Sequence, residues 1–214
     1  MSPMQVLLGG DAVSVAVAVL LLLMSVASWV VIVWKSWLLY RASADLPRCT
    51  QLFWQADSVS AAMQALLAAD RLRVLLPLAE ATQAVTQGTL AASGDRSQQL
   101  TRLLRDALHG VLNRLQSGQV VLASVGSVAP FVGLLGTVWG IYHALAGISG
   151  AGQISIEQIA APVGEALIMT AAGLAVAIPA VLAYNVLGRM AGKLEADLEG
   201  FARDLRELLL TRQP

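Results

Sequence analysis

The chain contains few charged residues and a single cysteine. Only 13% of its 214 residues are Asp, Glu, Lys or Arg, and 57% are hydrophobic, whereas a soluble domain usually has about 25% charged residues. This deficit predicts an integral membrane protein. Cys49 alone cannot form an internal disulfide, and no spacing of Cys and His predicts a zinc site.

The formal net charge is zero, so the composition gives no electrostatic signal for a nucleic-acid partner. The sequence also lacks a nucleotide-binding loop, a catalytic triad and a cluster of metal ligands. We therefore expect no nucleic acid, no enzymatic activity, no cofactor and no metal. The function has to be sought in the few polar side chains that lie within apolar segments.

Three apolar stretches are long enough to cross a bilayer, which takes about 20 residues of helix. They are residues 12–34, 119–147 and 161–188, and only Glu165 carries a charge within them. A cleaved signal peptide is the alternative for the first stretch. Residues 1–11 contain no Lys or Arg, however, so we expect a retained transmembrane helix.

The Lys and Arg residues are confined to two segments of the chain. Nine lie within residues 35–118 and the other five within residues 189–214. Because basic residues next to membrane helices stay in the cytoplasm, both segments are predicted to be cytoplasmic. Residues 1–11 and the loop 148–160 are then periplasmic. The sequence thus predicts an all-α membrane protein with three transmembrane helices, long cytoplasmic helical extensions and a periplasmic N-terminus.

The cytoplasmic segments are rich in Ala, Leu and Gln, which favours helices. Pro47 and Pro77 are expected to break these helices or to start them. Residues 86–97 are predicted to form a turn, and either Ser93 or Asp95 is expected to cap the helix that follows.

Apolar residues recur at offsets of three and four in two places, which predicts two amphipathic helices. No helix breaker separates the first of these from the second span until Gly118, so one long helix is predicted to run from the cytoplasm into the membrane. We expect the two apolar stripes to form the core of a cytoplasmic helical bundle and to contain no site. The stripes are Leu100, Leu103, Leu104, Ala107, Leu108, Val111, Leu112 and Leu115, and Leu194, Leu198, Phe201, Leu205, Leu208 and Leu209.

Glu165 is unusual because a carboxylate at the centre of a membrane helix costs roughly 2.5–3.5 kcal/mol. We expect it to face a bundle interior, a water-filled cavity or a partner. Two interpretations remain open: a place in a proton or ion path, and a protonated side chain that hydrogen-bonds a neighbouring helix. Thr137 and Thr170 are the next polar groups, although a hydroxyl in a membrane helix usually bonds the carbonyl four residues earlier.

The second span is rich in glycine. Gly136 and Gly140 form a small-xxx-small pattern that lets helix backbones approach closely, and Gly133 lies nearby. Pro130 and Pro179 are expected to kink their helices. We therefore expect Gly133, Gly136, Gly140 and Pro179 to determine how the spans pack.

Two stretches resemble the ExbB/TolQ family of inner-membrane energy transducers, which are distant relatives of the flagellar stator subunit MotA. The first is SVAPFVGLLGTVWGIYHAL, residues 127–145, and the second is IAAPVGEALIMTAAGLAVAIPAVLAYN, residues 159–185. Both strings are long and specific, and the predicted order of three helices agrees with the family.

The resemblance implies a homo-pentamer that surrounds a pore in the bacterial inner membrane and contacts membrane lipid. A dimer of a single-span partner, ExbD or TolR, would lie in the pore, and proton flow would drive work that passes to a TonB-like or TolA-like transducer. The pore glutamate of the family matches Glu165, and its two pore threonines match Thr137 and Thr170. Because five carboxylates near a pore mouth cannot all ionise easily, such a ring is suited to taking up and releasing protons.

Within the family, the GLLGT string at residues 133–137 and the sequence of residues 161–170 favour an ExbB-like protein. Such a protein would energise outer-membrane uptake of siderophores, haem and cobalamin. His143 favours instead a TolQ-like subunit, which energises constriction of the outer membrane. A third possibility is a structural scaffold in which Glu165 only braces the bundle. A flagellar-type stator usually has four spans, so the three spans here argue against it.

Overall fold

The computed structural model describes residues 11–83, 95–148 and 156–211. These residues form six α-helices and no strand, which confirms the all-α prediction. The helices are α1 (Ala12–Gln55), α2 (Val59–Ala69), α3 (Leu76–Ala81), α4 (Arg96–Gln116), α5 (Gln119–Ile148) and α6 (Ile156–Thr211). Three of them, α1, α5 and α6, are long and apolar enough to cross a membrane, as the sequence predicts.

Helix α1 continues for 44 residues even though Pro47 lies within it. The proline ring removes one backbone donor, which is why the sequence predicts a break or a start here. That prediction is wrong, because Leu46, Cys49 and Phe53 are all buried on one side of this segment. Their packing holds the helix together across the missing hydrogen bond.

Two other predictions about helix starts are confirmed. Pro77 lies in the first turn of α3, where its missing N–H group needs no helical partner. Asp95 precedes α4, and its carboxylate accepts a hydrogen bond of 2.8 Å from the backbone N–H of Gln98. Ser93 and most of the predicted turn fall within residues 84–94, outside the described residues.

The predicted continuous helix leading into the second span is wrong. Helix α4 ends at Gln116, and α5 begins at Gln119. Between them Gly118 has a φ angle of 84°, in the left-handed region that glycine adopts readily. The backbone therefore turns at this glycine instead of continuing as a helix.

The chain folds into two compact units. The apolar unit comprises Met1–Trp34 and Gly118–Val186, and all three charged residues in its sequence are acidic. Its small core side chains let α1, α5 and α6 pack at short distance. The buried core residues are Val17, Leu21, Val125, Ala129, Ala177 and Ala180.

The charged unit comprises Lys35–Ser117 and Leu187–Pro214 and contains every Lys and Arg of the chain. Its core includes members of both predicted apolar stripes, as expected. The carboxylate of Asp70 closes the turn between α2 and α3 by accepting three backbone hydrogen bonds of 2.7 to 2.9 Å. The buried stripe residues are Leu100, Leu104, Val111, Leu112, Leu115, Leu194, Leu198, Phe201 and Leu205.

Candidate functional site

Helices α5 and α6 approach each other closely at a pair of glycines, Gly133 and Gly173. A Cβ atom on Gly133 would lie 2.6 Å from the carbonyl oxygen of Met169 and 3.1 Å from the Cα atom of Gly173. Conversely, a Cβ atom on Gly173 would lie 2.6 Å from the carbonyl oxygen of Ala129. Since these contacts are with backbone atoms, which cannot rotate away, the geometry at both positions requires glycine.

Gly136 and Gly140 lie further along α5, on the same side of the helix. A Cβ atom on Gly136 would be 3.0 Å from Met169 Cβ and 3.0 Å from Val17 Cγ1, so all three apolar helices meet at this point. A Cβ atom on Gly140 would be 2.9 Å from Ala166 Cβ. The nearest contacts are therefore with side chains, and these two positions are less restrictive than Gly133.

Helix α6 contributes two further features to the same contact. Gly173 and Ala177 form a small-xxx-small pattern of their own, a signal in the sequence that could have predicted the contact from this side. Pro179 lies within α6 and is half-buried, next to the fully buried Ala180. Its ring deprives the carbonyl group of Ala175 of the usual helical donor.

Thr137 and Thr170 face each other across α5 and α6 and are linked by a hydrogen bond. The hydroxyl group of Thr170 donates to Thr137 Oγ1 over 3.4 Å. Thr137 in turn donates to the carbonyl oxygen of Leu134 over 2.7 Å and is 5% exposed. Only Thr137 thus bonds back to its own helix, and it does so three residues earlier rather than four. The two hydroxyl groups form a polar link across an otherwise apolar contact.

Glu165 lies on α6 five residues before Thr170, about 7.5 Å away along the helix axis. The adjacent residue, Ala166, is buried against Gly140, so Glu165 is about 100° around the helix from that contact. Its side chain is exposed in the single chain. No described residue forms a hydrogen bond or an ion pair with Glu165. A partner for its carboxyl group would therefore have to be a residue outside the described part of this chain or a group from another molecule.

A contact between Asp11 and Trp139 was not anticipated from the sequence. Trp139 Nε1 donates a hydrogen bond of 2.5 Å to the carboxylate of Asp11, which immediately precedes α1. The bond joins the start of α1 to α5. The available signal was the predicted topology, which puts the acid and the indole near the same membrane surface.

The site offers one ionisable group and two hydroxyl groups. A carboxyl group can take up and release a proton, and a hydroxyl group can both donate and accept a hydrogen bond. Glu165, Thr170 and Thr137 can therefore order water or transfer protons. The sequence of the apolar unit contains no Lys or Arg that could neutralise Glu165, and its one histidine is His143 on α5. Within the part of the chain that the structure describes, no group of three or more His, Cys, Asp or Glu residues could hold a metal ion.

Known proteins resemble this chain over most of its length. It is 40% identical to the biopolymer transport protein ExbB of Neisseria meningitidis serogroup A over 214 residues, which cover 95% of both chains. It is 41% identical to the biopolymer transport protein ExbB of Xanthomonas campestris pv. campestris over 212 residues, or 95% of this chain and 84% of the relative. It is 31% identical to the Tol-Pal system protein TolQ of Haemophilus influenzae over 211 residues, or 90% of this chain and 87% of the relative.

These similarities include the charged unit as well as the apolar helices, so they cannot result from shared hydrophobicity alone. Residues 61–200 also match a single protein family. The resemblance recognised in residues 127–145 and 159–185 is thereby confirmed, and an ExbB/TolQ-type role follows from it. The chain belongs to the MotA/TolQ/ExbB proton channel family.

Proposed function

We propose that this chain is the proton-channel and motor scaffold subunit of an ExbB-type complex. It assembles with an ExbD-like single-span protein and a TonB-like transducer, and it uses the proton motive force to energise outer-membrane transport of siderophores, haem and cobalamin. The observation that carries the proposal is the hydrogen bond between the hydroxyl groups of Thr137 on α5 and Thr170 on α6, because α6 also exposes Glu165. Polar groups within apolar spans are costly, and they mark ion and proton pathways.

Glu165, Thr137 and Thr170 line the proton path in this proposal. In a homo-pentamer around a pore, the exposed flank of α6 faces the pore, where the partner helix provides the contact that Glu165 lacks within its own chain. Five such carboxylates close together oppose simultaneous ionisation, so the ring binds and releases protons readily. One charge that crosses 100 mV yields about 2.3 kcal/mol, so several protons can drive a large movement of the partner.

The proposed location is the bacterial inner membrane, with the N-terminus in the periplasm and the C-terminus in the cytoplasm. This orientation is supported by the sequence of the apolar unit, which has no Lys or Arg, and by that of the charged unit, which has all fourteen of them. Exposed apolar side chains of α1, such as Leu22 and Leu23, contact membrane lipid.

Gly133, Gly136, Gly140 and Pro179 have a packing role in the proposal. The close approaches at the three glycines keep α5 and α6 near enough for the threonine hydroxyls to meet. Pro179 adjusts the course of α6 beyond this contact. Their function is to keep the residues of the proton path in their relative positions, and they do not carry protons themselves.

A TolQ-type role in outer-membrane constriction is the second candidate, because a TolQ relative matches 90% of this chain. The ExbB relatives are 40% and 41% identical, against 31% for that TolQ protein, which favours the ExbB-type role. A third candidate is a scaffold that does not conduct, in which the exposed Glu165 has no ionisable role.

The decisive experiment is transport of an iron–siderophore in the native host lacking this gene, complemented at matched membrane levels. We expect the wild type to restore uptake and Glu165→Gln to abolish it while the complex still assembles. The matched control is Glu199→Gln, the same chemical change at an exposed position of the charged unit.

Each alternative gives a different result in the same strains. If Glu165→Gln supports uptake as well as the wild type, the carboxylate is dispensable and the scaffold interpretation replaces the proton path. If the strain lacking the gene takes up siderophore normally but leaks periplasmic proteins and divides abnormally, the TolQ-type role replaces the ExbB-type role.

A further inference from the structure

The charged unit contains an open groove between α1 and α6, with a volume of about 540 Å³. Trp54 and Phe201 form its aromatic wall, with ring centroids 6.0 Å apart. Phe201 is buried, but Trp54 remains 41% exposed. At Gly200 the groove is open, since a Cβ atom there would have no neighbour within 4 Å. A large aromatic side chain beside an open groove, outside the predicted spans, is typical of an interaction surface.

The groove is acidic as well as aromatic. Asp197 and Asp204 both line it and are exposed. They are seven residues apart, so they lie on nearly the same side of α6, two turns from each other. Neither carboxylate forms an ion pair with a residue that the structure describes. The groove therefore suits an occupant with an exposed basic side chain and a surface that can cover Trp54.

A basic surface of this kind is present on α4. The side of α4 opposite its buried leucines carries Arg102, Arg105 and His109, and one acidic residue, Asp106, lies on the same side. The side chain of Arg105 is 60% exposed, and its contact with Asp106 is long, at 3.9 Å. Exposed ion pairs contribute little, so Arg105 can change partners at small cost.

The groove and α4 lie on opposite sides of α6. Arg206 of α6 donates hydrogen bonds to Thr101 Oγ1 over 2.9 Å and to Ser97 Oγ, so α4 lies against the Arg206 side. Asp197 and Asp204 precede Arg206 by nine and two residues, which is about 180° and 160° around the helix. One unit thus presents an acidic groove on one side and a basic helix on the other.

We propose that the groove binds the basic face of α4 from a second copy of this chain. Two complementary surfaces on opposite sides of one molecule form a head-to-tail contact, and repetition of that contact closes a ring when the rotation allows it. The inference rests on the homo-oligomer in the proposed function and identifies which surfaces join its subunits. The long-range electrostatic attraction between Asp204 of one copy and Arg105 of the other orients the two copies. Burial of the Trp54 side chain beneath α4 of the second copy then stabilises the contact.

Chemical cross-linking tests the contact in membranes that contain the full complex. A chain with Arg105→Cys and Asp204→Cys, in a Cys49→Ala background, is treated with a short bis-maleimide. We expect a ladder of cross-linked oligomers, whereas each single cysteine gives none. The matched control moves the groove cysteine to Gln64, an exposed position on α2 outside the groove, and we expect no ladder from it.

A wedge in the groove provides the second test. We expect the single chain to tolerate Gly200→Trp, because nothing lies within 4 Å of the added Cβ atom and the groove is open there, whereas the indole ring would occupy the space that α4 needs. We expect it to lower the cross-linked fraction at least about tenfold. Gly192→Trp is the control, since it is the same change at an open position of α6 outside the groove, and we expect it to leave the ladder unchanged.

The outcomes separate this inference from the proposed function. If the Arg105–Asp204 pair gives no ladder while uptake still depends on Glu165, the subunits meet through another surface and the inference is overturned. The same holds if Gly200→Trp leaves the ladder intact, or if the groove cysteine cross-links to a different protein. If the ladder forms but Glu165→Gln retains uptake, the contact stands and the proton path is wrong.

Discussion

Lys35 Nζ donates a hydrogen bond of 3.0 Å to the carbonyl oxygen of Leu115, in the last turn of α4. The same ammonium group also reaches the carbonyl oxygen of Arg114 at 2.8 Å and the hydroxyl group of Ser117 at 3.0 Å. Carbonyl groups at the end of a helix have no partner within the helix, and a cation there is favourable. The Lys35 side chain is fully buried, so it acts as an internal cap that ends α4 next to Gly118.

We expect Lys35→Met to lower the free energy of unfolding of the protein by about 1–3 kcal/mol. The substitution keeps the apolar stem but leaves the buried carbonyl oxygen of Leu115 without its donor, whereas Ser117 Oγ still donates to the carbonyl oxygen of Arg114. Thermal unfolding of the detergent-solubilised protein measures the effect. Lys193→Met, the same change at an exposed position of α6, should have almost none. Equal stability of the two variants would show that water replaces the ammonium group and that the cap is unimportant.

The hydroxyl link predicts a large effect on transport and a small one on stability. We expect Thr137→Val and Thr170→Val each to lower siderophore uptake by about tenfold or more, because both remove a hydroxyl group from the proposed proton path. A double-mutant cycle on unfolding should give a coupling of only about 0.6 kcal/mol, as is usual for hydrogen bonds between membrane helices. Thr170→Ser, which keeps the hydroxyl group, is the control and should retain uptake. If the two valine variants changed stability greatly but left uptake intact, the role of the hydroxyl groups would be structural and they would not belong to the proton path.

Gly173 should tolerate no larger side chain. Gly173→Ala puts a Cβ atom 2.6 Å from the carbonyl oxygen of Ala129 and 3.0 Å from the Cα atom of Gly133, so α5 and α6 have to move apart. We expect a loss of about 1–3 kcal/mol in the free energy of unfolding, together with reduced uptake. Gly164→Ala, on the same helix with open space around it, should be neutral or slightly stabilising. A stable, active Gly173→Ala variant would contradict the close packing of these helices.

Cys49 should react slowly with thiol reagents although it is a free cysteine. Burial, together with the carboxylates of Asp70 and Asp45, raises the pKa of its thiol to about 11 from the ordinary 9.0. The thiolate fraction near pH 8 is then about 100-fold smaller than for an ordinary thiol, so iodoacetamide should react correspondingly slowly. A cysteine placed at the exposed Ser60 is the control and should react fast.

The same shift links stability to pH. The folded chain holds the thiol proton more tightly than the unfolded chain, so the stabilising effect is complete below pH 9 and is lost as the pH rises through 11. We expect the wild type to lose more stability than Cys49→Ala over this interval. Parallel pH profiles would show that the thiol titrates normally.

Local sequence signals determined several parts of the fold correctly. The three spans follow from the length of their apolar runs, and the faces that are buried in α4 and α6 follow from a spacing of three and four residues. Asp95 caps α4 because its side chain can reach only the backbone next to it. In each case the physical cause acts over a few neighbouring residues or over one helix, so no knowledge of the partner is needed.

The tertiary structure decided whatever depends on the rotation of one helix against another. The spacing of apolar residues along the helices does not predict that Thr170 contacts Thr137 or that Gly173 faces Gly133. Nor does it predict that Lys35 reaches the end of α4. Pro47 stays within a helix for the same reason, since distant packing outweighs one missing hydrogen bond. The sequence alone therefore determined which segments are apolar helices and where polar groups interrupt them. The pairing of those groups required the packed structure, because contacts between helices are set by the shapes of both surfaces.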